Sequence, residues 1–203
     1  MLDIFIKIID VIFPPHESIQ QIKNETPETF QSYFSPSKFC DCIVLSDYSN
    51  QRVKAAIKAN KFHDSDKAAK LLSVLVKQWL DTTQSEPVIF VPIPLSQTRQ
   101  KERGYNQVRR ILEKIPATNF EIIELITKTK DTKSQTSLKR AERLKNTDGV
   151  FLFNQQKHAV PNPCRIILID DVITTGATMQ AASKVLAKNL PKDCELICLA
   201  LAH

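Results

Sequence analysis

Glycine is the residue that this sequence lacks most clearly. Only Gly104, Gly149 and Gly176 occur in 203 residues, where average usage would give roughly 14. The scarcity excludes a GxGxxG dinucleotide-binding fingerprint, and a Walker phosphate loop is excluded because no lysine follows Gly176. We therefore expect each glycine to stand where the backbone itself requires one.

The cysteines do not have the number or the spacing of a disulfide framework. The chain has five cysteines, an odd number, at positions 40, 42, 164, 194 and 198. Cys164, Cys194 and Cys198 lie in or beside apolar runs, which predicts small buried hydrophobic side chains. This usage is typical of a reducing compartment, and we expect the protein to be cytoplasmic.

No apolar run is long enough to cross a membrane. The opening stretch MLDIFIKIIDVIF is interrupted by Asp3, Lys7 and Asp10, and it lacks a basic leader and a small-residue cleavage site. Its apolar residues share one helical face, so we predict a docked amphipathic helix and no membrane insertion.

The charge balance narrows the class of partner without choosing one. The net charge is +6 and the pI is about 9.1. Such a balance favours anionic partners, namely phosphates, nucleic acid or acidic surfaces. A lysine-rich solvated surface would give the same numbers.

Strand-like and helix-like segments alternate along the chain. The predicted strands are CIVL, VIFVPI, EIIELIT, GVFLF, RIILID and ELICLALA, and the predicted helices are NQRVKAAIKANKF, SDKAAKLLSVLVKQWL and GYNQVRRILEKI. The strand runs are continuously apolar, which is typical of a parallel sheet covered on both faces. Residues 14–38 are predicted to be irregular because they are polar and rich in proline. Residues 128–148 are predicted to form a long exposed loop or a weak helix.

The stretch RIILIDDVITTGATMQ carries the clearest chemical signal. An apolar strand runs into Asp170 and Asp171 at the edge where open α/β sheets bind ligands. Two adjacent carboxylates repel each other, so they need a compensating partner. A sugar diol, which donates two hydrogen bonds, suits the pair, and so does a bound magnesium complex.

The loop from Thr174 to Thr178 follows at once. Its backbone amides, the threonine hydroxyls and the start of the next helix can form a cradle for an anion, and Gly176 permits a close approach. A ribose 5-phosphate would fit the acid pair and the loop together. The alternative is a strand that ends in a solvated acid pair before an ordinary capped helix.

These residues resemble a known family. RIILIDDVITTGAT resembles the phosphoribosyl pyrophosphate (PRPP) motif of type I phosphoribosyltransferases. VPIPLSQTRQKERGYNQ and KTKDTKSQTSLKRAERLKNTDGVF, with the weaker YSNQRVKAAIKANKFHD, narrow the resemblance to the competence-associated ComF family. It covers roughly residues 43–203 and implies an α/β fold of the type I phosphoribosyltransferase kind, with a mostly parallel sheet flanked by helices.

The resemblance also implies roles for individual residues. Asp170 and Asp171 would be catalytic and hold the ribose hydroxyls. The residues that would bind the 5-phosphate are Thr174, Thr175, Gly176, Ala177 and Thr178. Arg99 and Arg103 would serve a pyrophosphate loop, whereas Lys101 is better explained as a solvated side chain. The residues that match the family's mobile loop are Gln135, Arg143 and Asn146, and closure of that loop would exclude water.

One departure from the family is large. Many members open with a zinc ribbon of paired CxxC motifs, but here only Cys40 and Cys42 stand at C-x-C spacing, which does not make a four-ligand site. We therefore predict no zinc, and Mg²⁺ bound through PRPP rather than directly by the protein. Residues 1–42 are predicted to form a helical and irregular hood, and residues 43–203 the phosphoribosyltransferase-like domain.

Two functions from different classes follow. The first is an enzyme that binds PRPP with Mg²⁺ and transfers the phosphoribosyl group to an unidentified acceptor, in association with DNA uptake. The second is a non-catalytic module that senses PRPP or a nucleotide, or that holds single-stranded DNA or a competence protein. Tyr105, among Arg99, Arg103, Arg109 and Arg110, is the candidate for base stacking.

Overall fold

The computed structural model describes residues 15–83, 88–116, 120–129, 149–154 and 165–203. The helices in these ranges are α1 (Pro15–Gln21), α2 (Pro27–Gln31), α3 (Gln51–Phe62), α4 (Asp66–Thr82), α5 (Gln97–Arg103), α6 (Gln107–Leu112) and α7 (Ala177–Asn189). The strands are β1 (Ser37–Phe39), β2 (Cys42–Ser46), β3 (Val88–Pro92), β4 (Phe120–Ile122), β5 (Ile126–Lys128), β6 (Phe151–Phe153), β7 (Arg165–Val172) and β8 (Glu195–Ala202).

A mostly parallel sheet forms the centre of the molecule. Its order in the described residues is β1-β2-β8-β7-β3-β4. In this sheet, β2, β8, β7, β3 and β4 are parallel to their neighbours, and only β1 pairs with β2 in the antiparallel direction. The predicted α/β class with a mostly parallel sheet is confirmed. The carboxyl ends of the parallel strands meet at one edge, and β7 ends there between β8 and β3.

Side chains from both faces of the sheet build two apolar layers. Ile167 and Ile169 face the layer that includes α3, α4 and α6, whereas Ile166 and Leu168 face α7 and the β5–β6 hairpin. All four are fully buried. This alternation explains why the strand has a continuous apolar run, because each face needs its own set of large side chains.

The long helices begin where the sequence predicts. Asn50 caps α3 by accepting hydrogen bonds from the amides of Arg52 and Val53, and Ser65 caps α4 through the amide of Ala68. The apolar stripe of α4, which ends at Trp79, is buried against the sheet layer. A side-chain oxygen at the N-cap satisfies amides that the helix itself leaves unpaired.

Four local predictions were right only in part. The run EIIELIT is not one strand, because β4 joins the main sheet and β5 pairs instead with β6. GVFLF is antiparallel to β5 and lies outside the main sheet. Pro15 and Pro27 do not mark irregular chain but open α1 and α2, since proline suits the first turn of a helix. The segment GYNQVRRILEKI begins as a turn at Gly104, and α6 starts at Gln107.

The described part of the N-terminal segment is joined to the rest of the fold. Helix α1 packs on α3, and α2 packs on α4. Strand β1 extends the central sheet through β2. The division into a hood over residues 1–42 and a domain over 43–203 stays a prediction, and the expected opening helix lies outside the described residues. No helix in the described ranges has both the length and the apolarity needed to cross a membrane.

Candidate functional site

The acid pair lies within the carboxyl-terminal end of strand β7 rather than beyond it. The strand continues through Val172, and Asp170 is still in register with Ala200 of β8. The backbone amide of Asp171 donates a hydrogen bond to Oδ1 of Asp170 over 2.8 Å, and each carboxyl group perturbs the pKa of the other. Asp171 is only 3% exposed, whereas Asp170 is partly exposed. The backbone does not turn at the pair, so Asp170 faces the loop after β7 and Asp171 faces Lys61.

Lys61 compensates the charge of this pair. Its Nζ atom lies 3.0 Å from Oδ2 and 3.4 Å from Oδ1 of Asp171. Lys61 comes from the last turn of α3, which packs against the same face of the sheet. An ammonium group this close to a buried carboxylate favours its ionised form.

The two carboxyl groups are in different protonation states. Burial, reinforced by the charge of Asp171, raises the pKa of Asp170 to about 8. Burial acts in the same direction on Asp171, but Lys61 outweighs it and holds the pKa of Asp171 below its ordinary value. At neutral pH the pair therefore holds one proton and one negative charge, which is how two adjacent acids are tolerated at a buried strand end.

The phosphate-loop hollow lies next to this pair. It is a cavity of about 40 Å³ whose lining residues are Asp170, Val172, Ile173, Thr174, Thr175, Gly176, Ala177, Thr178 and Met179. All five predicted phosphate-binding residues line it, together with Asp170. Asp171 is not among the lining residues, because its side chain is buried against Lys61.

Gly176 gives the loop its shape. Its φ angle is +76°, a left-handed conformation that side chains rarely adopt, and it stands at the N-cap of α7. No side chain in the described ranges caps this helix, so its first-turn amides are available to an anion. The structure thus places together a helix start, a small hollow and a neutral carboxyl group.

The two predicted pyrophosphate residues are placed differently. Both lie on α5, which the sequence predicts as loop and which Ser96 caps. Arg103 is partly buried, and its guanidinium group lies 5.3 Å from the centre of the Phe62 ring. It donates a hydrogen bond to the side chain of Gln107 over 3.0 Å and interacts electrostatically with Asp171. Burial lowers the pKa of Arg103, although Asp171 opposes the effect. Arg99 is exposed on the same helix.

Tyr105 is engaged within the protein. Its hydroxyl donates to the carbonyl of Asn60 over 2.7 Å, and Arg110 lies over its ring at 5.2 Å. It lines a groove of about 990 Å³ that also contains Lys101, Arg109 and Arg110. Arg110 pairs with Asp64, and Arg109 pairs with glutamates. We refer to this cavity as the mixed-charge groove.

Some predicted residues cannot be placed, and one residue of the candidate site was missed. Gln135, Arg143 and Asn146 lie outside the described residues. Lys61 was not predicted, although it belongs to the stretch YSNQRVKAAIKANKFHD that resembles the ComF family. That resemblance was the only sequence signal for Lys61, because the packing of α3 on the sheet, and not a local pattern, brings it to Asp171.

Curated relatives carry competence and DNA-utilization names. The chain is similar to Competence protein ComFC of Streptococcus pneumoniae, with 39% identity over 104 residues. It is also similar to Competence protein F of Haemophilus influenzae, with 33% identity over 136 residues. DNA utilization protein YhgH of Escherichia coli K12 is 29% identical over 120 residues. No family model matches the chain.

Over these regions the chain is similar to the ComFC and F competence proteins. The region similar to the Streptococcus protein covers 51% of this chain and 44% of that protein. The region similar to the Haemophilus protein covers 64% of this chain and 57% of that protein. They cover 56% and 49% for the Escherichia protein. The chain thus spans about half the length of the curated relatives that it matches, and these ComF names do not by themselves assign a reaction.

Proposed function

We propose that this protein binds PRPP with Mg²⁺ and transfers its phosphoribosyl group to an acceptor that is still to be identified. The observation that carries the proposal is the placement of the acid pair beside the phosphate-loop hollow. A sugar phosphate has hydroxyls that can donate to the acid pair and an anionic phosphate that can occupy the hollow. No other arrangement in the described residues offers both.

The side chains would divide the work of binding. The amides at the start of α7, with Thr174 and Thr178, would hold the 5-phosphate. Asp170 lines the hollow and would accept a hydrogen bond from a ribose hydroxyl once its proton has left. Lys61 would keep Asp171 ionised and in place. The reaction would need positioning and charge stabilisation more than a strong base.

Magnesium fits the chemistry of these donors. Carboxylate oxygens are hard ligands of the kind that Mg²⁺ prefers, often through water. Bound to the pyrophosphate oxygens of PRPP, the ion would neutralise charge on the leaving group. Arg103, which feels the charge of Asp171 from α5, would stand on the same side of the site.

Calorimetric titration with Mg²⁺–PRPP tests binding. The variant Asp170→Asn changes the carboxyl group that lines the hollow, and it should weaken binding by about tenfold to a hundredfold, as expected for the loss of a hydrogen bond to a charged group. Asp193→Asn is the matched control, because Asp193 is exposed in the turn before β8, at the opposite edge of the sheet. The proposal fails if the unaltered protein gives no heat, or if all three proteins bind equally.

Release of pyrophosphate tests transfer separately from binding. Incubation of the protein with Mg²⁺–PRPP and a panel of nucleobases should release pyrophosphate faster with one acceptor than without any. Binding without release under every condition would instead support a PRPP sensor, which is the non-catalytic function that the sequence leaves open.

A second candidate is the binding of single-stranded DNA in DNA uptake. The names of the relatives support a role in DNA uptake, and the mixed-charge groove has basic side chains along its wall. Its cations are largely paired with acids, which weakens the case. Binding of an oligothymidylate that falls steeply with salt and is insensitive to Asp170→Asn would favour this function.

A further inference from the structure

Three cysteines gather on the α7 face of the sheet, beside the phosphate loop. Cys42 on β2 and Cys198 on β8 are direct partners in the parallel register. Both pack with the apolar layer under α7, so their side chains point to the same face. Cys40 stands in the turn between β1 and β2, with its Sγ atom 3.5 Å from the place where a Cβ atom on Gly176 would lie.

The facing pair has the geometry that a disulfide requires. Neighbouring strands in a sheet lie about 4.8 Å apart, and disulfides form when the Cα atoms are about 4.4–6.8 Å apart. The two thiols lie close enough to shift each other's pKa. All the described cysteines are nevertheless free thiols. The register therefore places the two cysteines at a strand separation that a disulfide can span.

The two sulfur atoms are chemically unequal. The hydrogen bond from Cys42, helped by Ser183 of α7, lowers the pKa of Cys198 against the effect of burial. The same hydrogen bond, together with burial, raises the pKa of Cys42. Cys198 is therefore the cysteine that ionises more readily to the reactive thiolate, and Cys42 stays a protonated thiol beside it.

Solvent-sized reagents can reach this pair. A cavity of about 210 Å³ is lined by Cys40, Cys42, Cys198 and Ser183, and its far wall is Thr175, Gly176 and Ala177. A groove of about 550 Å³ reaches the same three cysteines from the β1 side. Cys198 is partly exposed, which corrects the prediction that it is a buried hydrophobic side chain.

We propose that Cys198 and Cys42 form a redox-active thiol pair that reacts with hydroperoxides. The Cys198 thiolate attacks one oxygen of hydrogen peroxide, so that an S–O bond forms, the O–O bond breaks and hydroxide leaves. The hydroxide takes the proton of Cys42 and becomes water. The Cys42 sulfur then attacks the sulfenic acid, so that the S–S bond forms and hydroxide leaves. This hydroxide takes up the proton that Cys198 released when it ionised and becomes the second water.

The balance of this reaction is complete. Two thiols lose two hydrogen atoms and two electrons, and one hydrogen peroxide is reduced to two waters. A dithiol reductant reverses it by exchange through a mixed disulfide. The reaction requires no PRPP, so it stands independently of the proposed transferase function.

Peptide mapping of the full chain tests the pair directly. The protein is treated with stoichiometric hydrogen peroxide, its remaining thiols are alkylated, and its peptides are analysed by mass spectrometry without reduction. We expect a cross-linked peptide that joins Cys42 to Cys198 and disappears after treatment with dithiothreitol. A Cys198 that stays as alkylatable as Cys194, or a bond formed by another pair, overturns the proposal.

Serine variants assign the two roles. In Cys42→Ser, the sulfenic acid on Cys198 should persist and be trapped by dimedone, whereas Cys198→Ser should yield neither adduct nor bond. Cys40→Ser and Cys194→Ser are matched controls that each remove one thiol and should keep the cross-link. Loss of the cross-link in either control would contradict the assignment, and the mapping of the unaltered chain does not depend on any variant folding.

Discussion

At the scale of single residues, the adjacent acids of β7 are stable because they do not carry the same charge. Asp170 keeps its proton, whereas Asp171 is ionised and forms an ion pair with Lys61. A buried charge needs a partner, and a buried neutral acid needs a hydrogen bond. Each acid has what its own state requires.

Removing the titration of Asp170 should flatten the pH dependence of stability. Its pKa is about 8 in the folded protein against an ordinary 3.8, so the folded state binds more protons between these values. The free energy of unfolding should therefore fall as the pH rises from about 4 to about 8. In Asp170→Asn this fall should be absent, as measured by thermal unfolding from pH 5 to pH 9. An equal slope in both proteins would contradict the raised pKa.

Removing Lys61 should destabilise the protein most at neutral pH. Asp171 has a lowered pKa, so its ion pair contributes stability that is present above about pH 4 and is lost as the pH falls through the folded pKa. We expect Lys61→Met to lower the free energy of unfolding at pH 7 by about 2 kcal/mol, and by less near pH 3.

The matched control is Lys77→Met. The ion pair of Lys77 with Asp81 is exposed, with side chains 38% and 59% accessible, so its loss should change stability by about 0.5 kcal/mol or less. Denaturant unfolding at both pH values makes the comparison. If Lys61→Met lowers the free energy of unfolding no more than Lys77→Met does, the buried ion pair between Lys61 and Asp171 contributes little to stability.

Only part of the site could be predicted from sequence. The acid pair and the loop from Thr174 to Thr178 are contiguous, so their chemistry shows in a local pattern. Lys61 is 110 positions away from Asp171, and only the packing of α3 on the sheet brings them together. The protonation of Asp170 could not be predicted either, because burial and Lys61 decide it jointly.

At the scale of elements, the turn from β7 into α7 depends on one backbone conformation. Gly176 has a φ angle of +76°, and Gly149 has nearly the same angle, +73°, before β6. The two positions share a backbone requirement, but only Gly176 lines the phosphate-loop hollow. They therefore form a natural pair for comparison.

Alanine at either glycine should lower stability by a similar amount. The left-handed conformation disfavours a side chain by about 1–2 kcal/mol, and a Cβ atom at Gly149 meets nothing within 4 Å. Gly176→Ala alone should also weaken Mg²⁺–PRPP binding, because the loop backbone shifts. Unfolding and calorimetry measure the two effects. Equal PRPP affinity in both variants would mean that the loop does not hold the phosphate.

The element predictions succeeded where one physical signal dominates. Helix α4 has a full apolar stripe and a serine cap, and strand β8 has an unbroken apolar run. The run EIIELIT was misassigned because its short-range pattern is the same for one strand as for two short ones. Only the pairing of β5 with β6, set by the chain that follows, separates them.

At the scale of the whole molecule, the described N-terminal residues are part of the core. Phe30 of α2 is fully buried, and its ring meets Tyr33 edge to face at 5.3 Å. It belongs to the same apolar layer as Leu72 and Ile167. We therefore expect this segment and the sheet to unfold together.

The variant Phe30→Ala tests that expectation. Truncation of a buried phenylalanine should lower the free energy of unfolding by about 3–5 kcal/mol, with one transition retained. Leu152→Ala is the control, since Leu152 is 57% exposed, and its effect should stay within about 0.5 kcal/mol. Denaturant titration followed by fluorescence of Trp79 measures both. Two separated transitions would support an independent hood over residues 1–42.

The two margins of the central sheet affect how copies of the protein meet. In the described residues, the outermost strands β1 and β4 are three residues long, and each carries an exposed charge, Lys38 or Glu121. A neighbouring molecule that tried to add its own strand would gain few backbone hydrogen bonds and would have to strip water from a charge. The sheet is thereby protected against edge-to-edge aggregation at high concentration.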